Sequence, residues 1–286
     1  MSLSSLHASS DNGDSLDLVR RLKPLSFHKF DYGRVGEKHC PLADMYPGIY
    51  IKEAAVLILL FAKDNQIRVV LTLRSDNVTH NKGEVSFAGG TRDAVDRSPI
   101  DTALREAHEE IGVPAENLEI VCQLVPVYTR HRFILFPVVA LLRSAFHYEP
   151  SINEEVLACF DLPLERFLQQ RDFSKVDFEL ANGIVYPLMY FEDNVAPVPD
   201  RPVITYGLTA WLCVLTSMMV FERQPEYLIS TWFTGDNLLS NYAQLAEKQL
   251  LSELDFLLER KRKKEARKKQ KGQSTVAEKE LWTAKL

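Results

Sequence analysis

Three glutamates on one predicted helix are the side chains of this sequence best suited to catalysis. Glu106, Glu109 and Glu110 lie in the run Arg105-Glu106-Ala107-His108-Glu109-Glu110. At about 100° per residue they form one stripe, roughly 140° around the helix from its apolar side. The spacing therefore predicts a cluster of carboxylates on a single helix face.

Such a stripe costs free energy unless something compensates its charge. Neighbouring carboxylates about 5 Å apart repel by on the order of 3 kcal/mol at an effective dielectric of about 20, and a bound divalent cation would reverse the sign. Mg²⁺ and Mn²⁺ take oxygen ligands and often bind substrate phosphates, whereas zinc prefers His or Cys. The stripe indicates phosphoryl chemistry, although glutamate pairs also occur on many solvated helix faces.

Local signals position this helix. Ser98 is a candidate N-cap, Pro99 is tolerated in the first turn, and Asp101 complements the helix dipole. The helix is predicted from about Pro99 to Ile111, with Gly112 as its C-cap. His108 is expected to pack near the apolar side of the helix.

The remaining elements alternate between strands and helices, which predicts a mixed α/β class. A hairpin is expected first, with the turn Lys63-Asp64-Asn65-Gln66 between its strands. The further expectations are a glycine-bearing segment from Gly83 to Gly90, strands at Leu118–Val125 and Ile134–Leu142, a loop and short helix at Asn153–Leu168, a strand pair around Phe178–Tyr190 and a helix at about Thr205–Phe221.

Composition separates the chain into three parts and excludes some functions. We assign residues 1–34 to an N-terminal arm with a short helix, 35–238 to the main domain and 239–286 to a charged helical extension. The formal net charge of −5 argues against nucleic-acid binding through overall basicity. The uncharged stretch Pro202–Phe221 is expected to be a buried strand, turn and helix, so no membrane span is predicted.

The segment around the glutamates resembles the Nudix box. Gly90 is followed after five residues by Asp96, and Arg105 to Val113 supplies the second half of the pattern. Asp96 replaces the usual glutamate, and eight residues rather than seven separate it from Arg105. The extra residue puts the role of Asp96 in doubt and leaves the spacing on the helix intact.

A second resemblance, to the coenzyme A diphosphatase subgroup, lies just upstream. The segment from Val70-Leu71-Thr72-Leu73-Arg74-Ser75 through Gly83 to Phe87-Ala88-Gly89-Gly90 keeps the spacing of that signature, departing at Val70, Thr79 and Ala88. Thr129-Arg130-His131, Pro137-Val138-Val139 and Tyr206-Gly207-Leu208-Thr209-Ala210 are also similar to this subgroup. The resemblance covers roughly residues 35 to 225.

The resemblance implies an α/β/α sandwich with a mixed β-sheet and a hydrolase that uses Mg²⁺ or Mn²⁺. The implied reaction is cleavage of the diphosphate of coenzyme A or its thioesters to 3′,5′-ADP and (acyl-)4′-phosphopantetheine. The implied metal ligands are Glu106, Glu109, Glu110 and the Gly90 carbonyl. Arg105 would orient the glutamates, Glu109 and Glu155 are the further catalytic candidates, and Glu154 is an alternative to Glu155.

Three arginines, Arg74, Arg92 and Arg130, are candidates to bind the 3′-phosphate, because a guanidinium can bind phosphate through two hydrogen bonds. Each could equally form a structural or surface ion pair. The expected small-molecule partner is coenzyme A or an acyl-coenzyme A.

The end of the chain carries two possible targeting signals. Residues Arg260 to Lys271 include nine Lys or Arg and one acid, which indicates a solvated helix end and, as an alternative, a nuclear-import or nucleic-acid segment. Ala284-Lys285-Leu286 resembles the Ser-Lys-Leu peroxisomal address. We predict a peroxisomal enzyme with the peroxisomal import receptor as a partner.

Two other functions stay open. One is a Nudix hydrolase of another nucleotide, such as NADH, ADP-ribose or a capped RNA. The other is a catalytically silent Nudix fold that binds nucleotide as a sensor or scaffold. The complete set of three glutamates argues against the second, because a binder does not require all three.

Overall fold

The computed structural model describes residue 22 and residues 52–77, 81–129, 133–143, 155–179, 185–195, 202–229 and 250–268. Its strands are β1 (Lys52–Lys63), β2 (Gln66–Arg74), β3 (Val85–Ser86), β4 (Ala88–Thr91), β5 (Leu118–Gln123), β6 (Val127–Tyr128), β7 (Phe133–Leu142), β8 (Val156–Pro163), β9 (Phe173–Glu179), β10 (Val185–Asp193) and β11 (Val203–Tyr206). The helices are α1 (Pro99–Ile111) and α2 (Gly207–Phe221), with short 3₁₀ turns at Ala115–Asn117 and Leu164–Leu168. Residues 250–268 are also helical.

The predicted opening hairpin is confirmed. β1 and β2 pair antiparallel up to Lys63 and Gln66. Asp64 and Asn65 between them have φ angles of 53° and 58°. Two successive positive φ values match the type I′ turn, whose twist suits a tight hairpin.

The main sheet is mixed because β1 runs parallel to β7 and antiparallel to β2 and β4. β8 pairs antiparallel with β2. The prediction of a loop and short helix over Asn153–Leu168 was therefore wrong for Val156–Pro163, because these residues form a strand. Residues of β8 alternate in burial, and the strand is stabilised by pairing with a distant segment; only Leu164–Leu168 forms a short 3₁₀ helix.

Layers of helix cover both faces of this sheet. On one face, Ala103, Ala107 and Ile111 of α1 pack against alternate residues of β1 and β7. On the other face lie α2 and the three-stranded sheet β11-β10-β9. The arrangement confirms the expected α/β/α sandwich with a mixed sheet.

The stretch Pro202–Phe221 forms β11 and the largely buried helix α2. The predicted helix start at Thr205 was early, because Thr205 lies in β11 and the chain turns at Gly207, where φ is 63°. Within the described residues, no helix combines the length and apolar composition needed to cross a bilayer.

Residues before β1 and after α2 contribute to the two cores, one on each side of the sheet. Leu22 is helical and fully buried in the core on the α2 side. Leu250 and Leu254 are buried in the core on the α1 side. The proposed boundary near residue 238 lies outside the described residues, and the extension beyond it shares a core with α1.

Candidate active site

Helix α1 forms as predicted. The Ser98 hydroxyl accepts a hydrogen bond from the Asp101 amide at 3.2 Å. Gly112 ends the helix in the left-handed region, with φ of 67°, and its amide donates to the His108 carbonyl at 3.1 Å. These caps set where the helix begins and ends, and the packing of Ala103 and Ala107 sets which face meets the sheet.

The orientation of the glutamate stripe differs from the prediction. The buried face of α1 is centred on Ala103 and Ala107, and Glu110 lies on that face with 2% exposure. The stripe therefore borders the core rather than lying opposite it. His108 is exposed, so its predicted packing role was wrong; it lies well around the helix from the Ala103–Ala107 line.

Glu110 is the most deeply buried of the three carboxylates. Its Oε2 atom accepts a hydrogen bond from the Gly89 amide at 3.0 Å. Burial raises the pKa of Glu110 to about 7, and the negative charges of Glu106 and Glu155 act in the same direction. The Gly89 amide and the positive charge of Arg74 partly oppose this rise in pKa.

Glu106 lies directly against the backbone of β4. A Cβ atom added to Gly90 would overlap the Glu106 carboxylate, with its Cδ only 2.7 Å away. Burial also raises the pKa of Glu106, while the neighbouring Arg105 lowers it. Glycine at position 90 is thus what lets this carboxylate approach the strand.

Arg105 connects the glutamates to the loop before the helix. Its Nη1 atom lies 2.9 Å from both Glu106 Oε1 and Glu109 Oε2. On its other side, Nε and Nη2 donate to Asp96, at 3.1 Å and 3.0 Å, and Nη2 also donates to the Thr91 carbonyl. The guanidinium contacts two of the three glutamates, and its role in orienting them stays a prediction.

Asp96, whose role the sequence left in doubt, is the anchor of Arg105. Its side chain is almost fully buried. Burial by itself would raise the pKa of Asp96, but hydrogen bonds from Arg105 and from the Asp93 amide outweigh it and hold that pKa below its ordinary value. The loop that carries the extra residue thus brings the Asp96 carboxylate into contact with the helix arginine.

Of the three candidate phosphate-binding arginines, Arg92 is engaged within the protein. It donates to Glu53 at 2.6 Å and to the carbonyls of Asp96 and Arg97. It thereby supports the loop between β4 and α1. Arg74 lies close enough to Glu110 to affect its pKa. Arg130 and Glu154 lie outside the described residues.

Glu155 is brought to the same cluster from a different part of the chain. It immediately precedes β8, and its carbonyl accepts a hydrogen bond from the Ser75 amide at 2.9 Å. Its negative charge raises the pKa of Glu106 and of Glu110. The site thus gathers Glu106, Glu109, Glu110 and Glu155, of which Glu109 is half exposed.

These residues fit a hard divalent cation. Within the described parts of the chain, no three His, Cys, Asp or Glu side chains are already arranged around one point as metal ligands. Glu106 and Glu109 instead hold Arg105, and Glu110 holds the Gly89 amide. The donor atoms are all oxygens, which suits Mg²⁺ or Mn²⁺. Burial raises the pKa of Glu106 and of Glu110, and a divalent cation beside them would favour their charged forms.

Comparisons with known proteins identify the family of the chain. Residues 51–180 match the NUDIX domain family. The chain is 36% identical over 179 residues to Nudix hydrolase 15, mitochondrial, of Arabidopsis thaliana, covering 62% of this chain and 61% of that protein. It is 29% identical over 208 residues to peroxisomal coenzyme A diphosphatase NUDT7 of Mus musculus, covering 72% and 86%.

A third relative is peroxisomal coenzyme A diphosphatase ndx-8 of Caenorhabditis elegans, 30% identical over 200 residues, covering 68% of this chain and 80% of that protein. The chain therefore belongs to the Nudix hydrolase family. Members of this family generally use divalent metal ions. The chain spans less than two thirds of the length of Nudix hydrolase 15 and of another Arabidopsis relative, Nudix hydrolase 22, chloroplastic.

Proposed function

We propose that this Nudix hydrolase cleaves the diphosphate of coenzyme A or its thioesters, giving 3′,5′-ADP and (acyl-)4′-phosphopantetheine, with Mg²⁺ or Mn²⁺. The supporting observation is the cluster of carboxylates on α1 that contacts Gly89 and Gly90. In the sequence, this helix follows the segment that resembles the coenzyme A diphosphatase signature. The chain matches most of the length of the mouse and nematode relatives, and the names of these two proteins support the same substrate.

Each site residue has a part in this proposal. Glu106, Glu109, Glu110 and the Gly90 carbonyl would hold the cation, which when bound neutralises charge on the phosphates and acidifies water. Arg105, fixed by Asp96, keeps Glu106 and Glu109 in place. Glu109, which is half exposed, and Glu155, which is exposed, would be the candidates to accept the proton of the attacking water.

The 3′-phosphate would be recognised by arginine. Arg92 could serve only by exchanging its bonds to Glu53 and two carbonyls for the ligand, which would loosen the loop that holds Asp96. Arg130 follows Thr129 in the sequence and lies just beyond the described residues 81–129. We assign Arg130 the first place in this role.

We also propose a peroxisomal location, read from Ala284-Lys285-Leu286 by the import receptor. The mouse and nematode relatives carry peroxisomal names, and the Arabidopsis relatives carry mitochondrial and chloroplastic ones. The tripeptide lies outside the described residues, as does the end of the basic run beyond Lys268.

A substrate panel tests the proposed activity. Purified protein with Mg²⁺ or Mn²⁺ is offered coenzyme A, an acyl-coenzyme A, NADH, ADP-ribose and a capped RNA at equal concentration, and kcat/KM is compared. The proposal expects the highest value for coenzyme A or its thioester. Preference for another nucleotide would move the enzyme to another Nudix activity, and inactivity on the whole panel would favour a silent nucleotide-binding scaffold.

A further inference from the structure

Arg74, the last residue of β2, lies on the same face of the sheet as helix α1. Side chains alternate along a strand. Val69, Leu71 and Leu73 enter the core on the α2 side, whereas Val70 belongs to the core on the α1 side. Arg74 follows at a shift of register against β8, and the action of its positive charge on Glu110 places its guanidinium on the face that carries the carboxylates.

The backbone of Arg74 is held on both sides. Its amide donates to the Glu84 carbonyl at 3.0 Å, and its carbonyl accepts from the Gly83 amide at 3.1 Å. The next residue, Ser75, bonds to the backbone of Glu155 at 2.9 Å. The position of Arg74 next to the carboxylate cluster is therefore fixed by strand pairing rather than by a free loop.

The Arg74 guanidinium differs from the other arginines near the site. Arg92 and Arg105 are each bound to a carboxylate and to backbone carbonyls. The Nε atom of Arg74 is buried without a hydrogen-bond partner, and Arg74 forms no ion pair within the described residues. A buried donor left unsatisfied costs about 1–3 kcal/mol, which a ligand oxygen could recover.

The charge of Arg74 reaches Glu110, the most buried carboxylate. Arg74 lowers the pKa of Glu110 electrostatically without bonding to it. A side chain that lies beside a carboxylate proposed to bind the cation, and whose Nε has no partner, is suited to an anion held by that cation. During cleavage, that anion is the diphosphate.

We propose that Arg74 binds a non-bridging oxygen of the scissile diphosphate, rather than the 3′-phosphate. The inference rests on the proposed function and reassigns one residue within its site. Guanidinium binds phosphate through paired N–H donors, so Nε and one terminal nitrogen would satisfy the buried donor and stabilise charge on the phosphate together.

The first experiment compares two substrates. Coenzyme A and dephospho-coenzyme A share the diphosphate and differ at the 3′-phosphate. We expect Arg74→Gln to lower kcat/KM by on the order of 10- to 100-fold on both, leaving their ratio unchanged. A loss confined to coenzyme A would return Arg74 to the 3′-phosphate, and unchanged activity on both would remove it from the site.

Arg97→Gln is the matched control, because Arg97 is another arginine near α1 with a mostly exposed side chain. Thermal unfolding of both variants shows whether either change disturbs the fold. Arg97→Gln should match wild type on both substrates. A loss in Arg97→Gln as large as in Arg74→Gln would mean that general loss of positive charge, not a contact, explains the effect.

The second experiment does not depend on turnover. Methylenediphosphonate, an uncleavable diphosphate, is titrated calorimetrically into the Mn²⁺-loaded protein. Arg74→Gln should weaken its binding at least about tenfold, whereas Mn²⁺ binding itself should not weaken. Equal diphosphonate affinity in wild type and variant overturns the inference even if coenzyme A proves not to be the substrate, and failure of wild type on coenzyme A alone overturns only the proposed function.

Discussion

Replacing Glu110 with glutamine should stabilise the metal-free protein at neutral pH and leave it unchanged at acidic pH. Glu110 is 2% exposed, and burial raises its pKa from an ordinary 4.5 to about 7. Glutamine keeps the shape and can still accept the Gly89 amide, but it carries no charge. The substitution therefore isolates the cost of ionising this carboxylate.

The sign follows from proton linkage. Below pH 4.5 Glu110 is protonated in both the folded and unfolded states, so it makes no pH-dependent contribution. Between pH 4.5 and about 7 the unfolded state releases the proton first, so the free energy of unfolding of wild type falls as pH rises. Integrated over that window, the loss is on the order of 3 kcal/mol, and it levels off above pH 7.

Urea unfolding of wild type and Glu110→Gln in a metal chelator measures this difference at pH 4.5, 6 and 8. The free energy of unfolding of the variant should exceed that of wild type by an amount that grows with pH and reaches on the order of 3 kcal/mol at pH 8. The comparison at pH 4.5 is the control, because Glu110 is protonated in the folded protein there and is as uncharged as the glutamine that replaces it. A Glu110→Gln difference that is equal at pH 4.5 and pH 8 would refute the burial argument.

Four further outcomes are expected. Glu109→Gln should lower kcat about 10²- to 10⁴-fold with Mg²⁺ while leaving the fold intact, and near-normal turnover would contradict the metal assignment. Asp96→Asn should lower kcat about tenfold or more and destabilise the protein by about 1–3 kcal/mol, because Arg105 loses its buried partner; wild-type kinetics would remove Asp96 from the network. Coenzyme A should be cleaved at least about tenfold more efficiently than dephospho-coenzyme A, as a charge-assisted phosphate contact predicts, and equal kcat/KM values would leave the 3′-phosphate site without support. A fluorescent protein fused ahead of a chain ending at Leu286 should enter peroxisomes and lose that location when residues 284–286 are removed; a fusion that stays cytosolic or nuclear would contradict the address.

Local signals made helix α1 and the opening hairpin predictable. Ser98 and Gly112 cap the helix through contacts within a few residues, and the Asp64-Asn65 turn closes the hairpin on itself. β8 was missed because a short apolar run has no decisive periodicity and because it forms only by pairing with β2.

The members of the site were predictable, and their environments were not. The spacing of the glutamates on α1 indicated shared chemistry, but it could not show that β4 would approach so closely that Glu110 is buried and bonded to Gly89. The contact between Asp96 and Arg105 crosses a loop whose length departs from the family pattern, so no local rule placed it. Burial of a carboxylate depends on which distant strand lies beside it.

Product analysis in ¹⁸O-labelled water with Mg²⁺ tests the central claim most directly. Purified wild type is incubated with an acyl-coenzyme A, and the products are identified by mass. We expect equal amounts of 3′,5′-ADP and acyl-4′-phosphopantetheine, with one ¹⁸O on a phosphate of a single product, and a strong loss of both products in Glu110→Gln. Release of free coenzyme A and a carboxylic acid, or undiminished cleavage by Glu110→Gln, would contradict it.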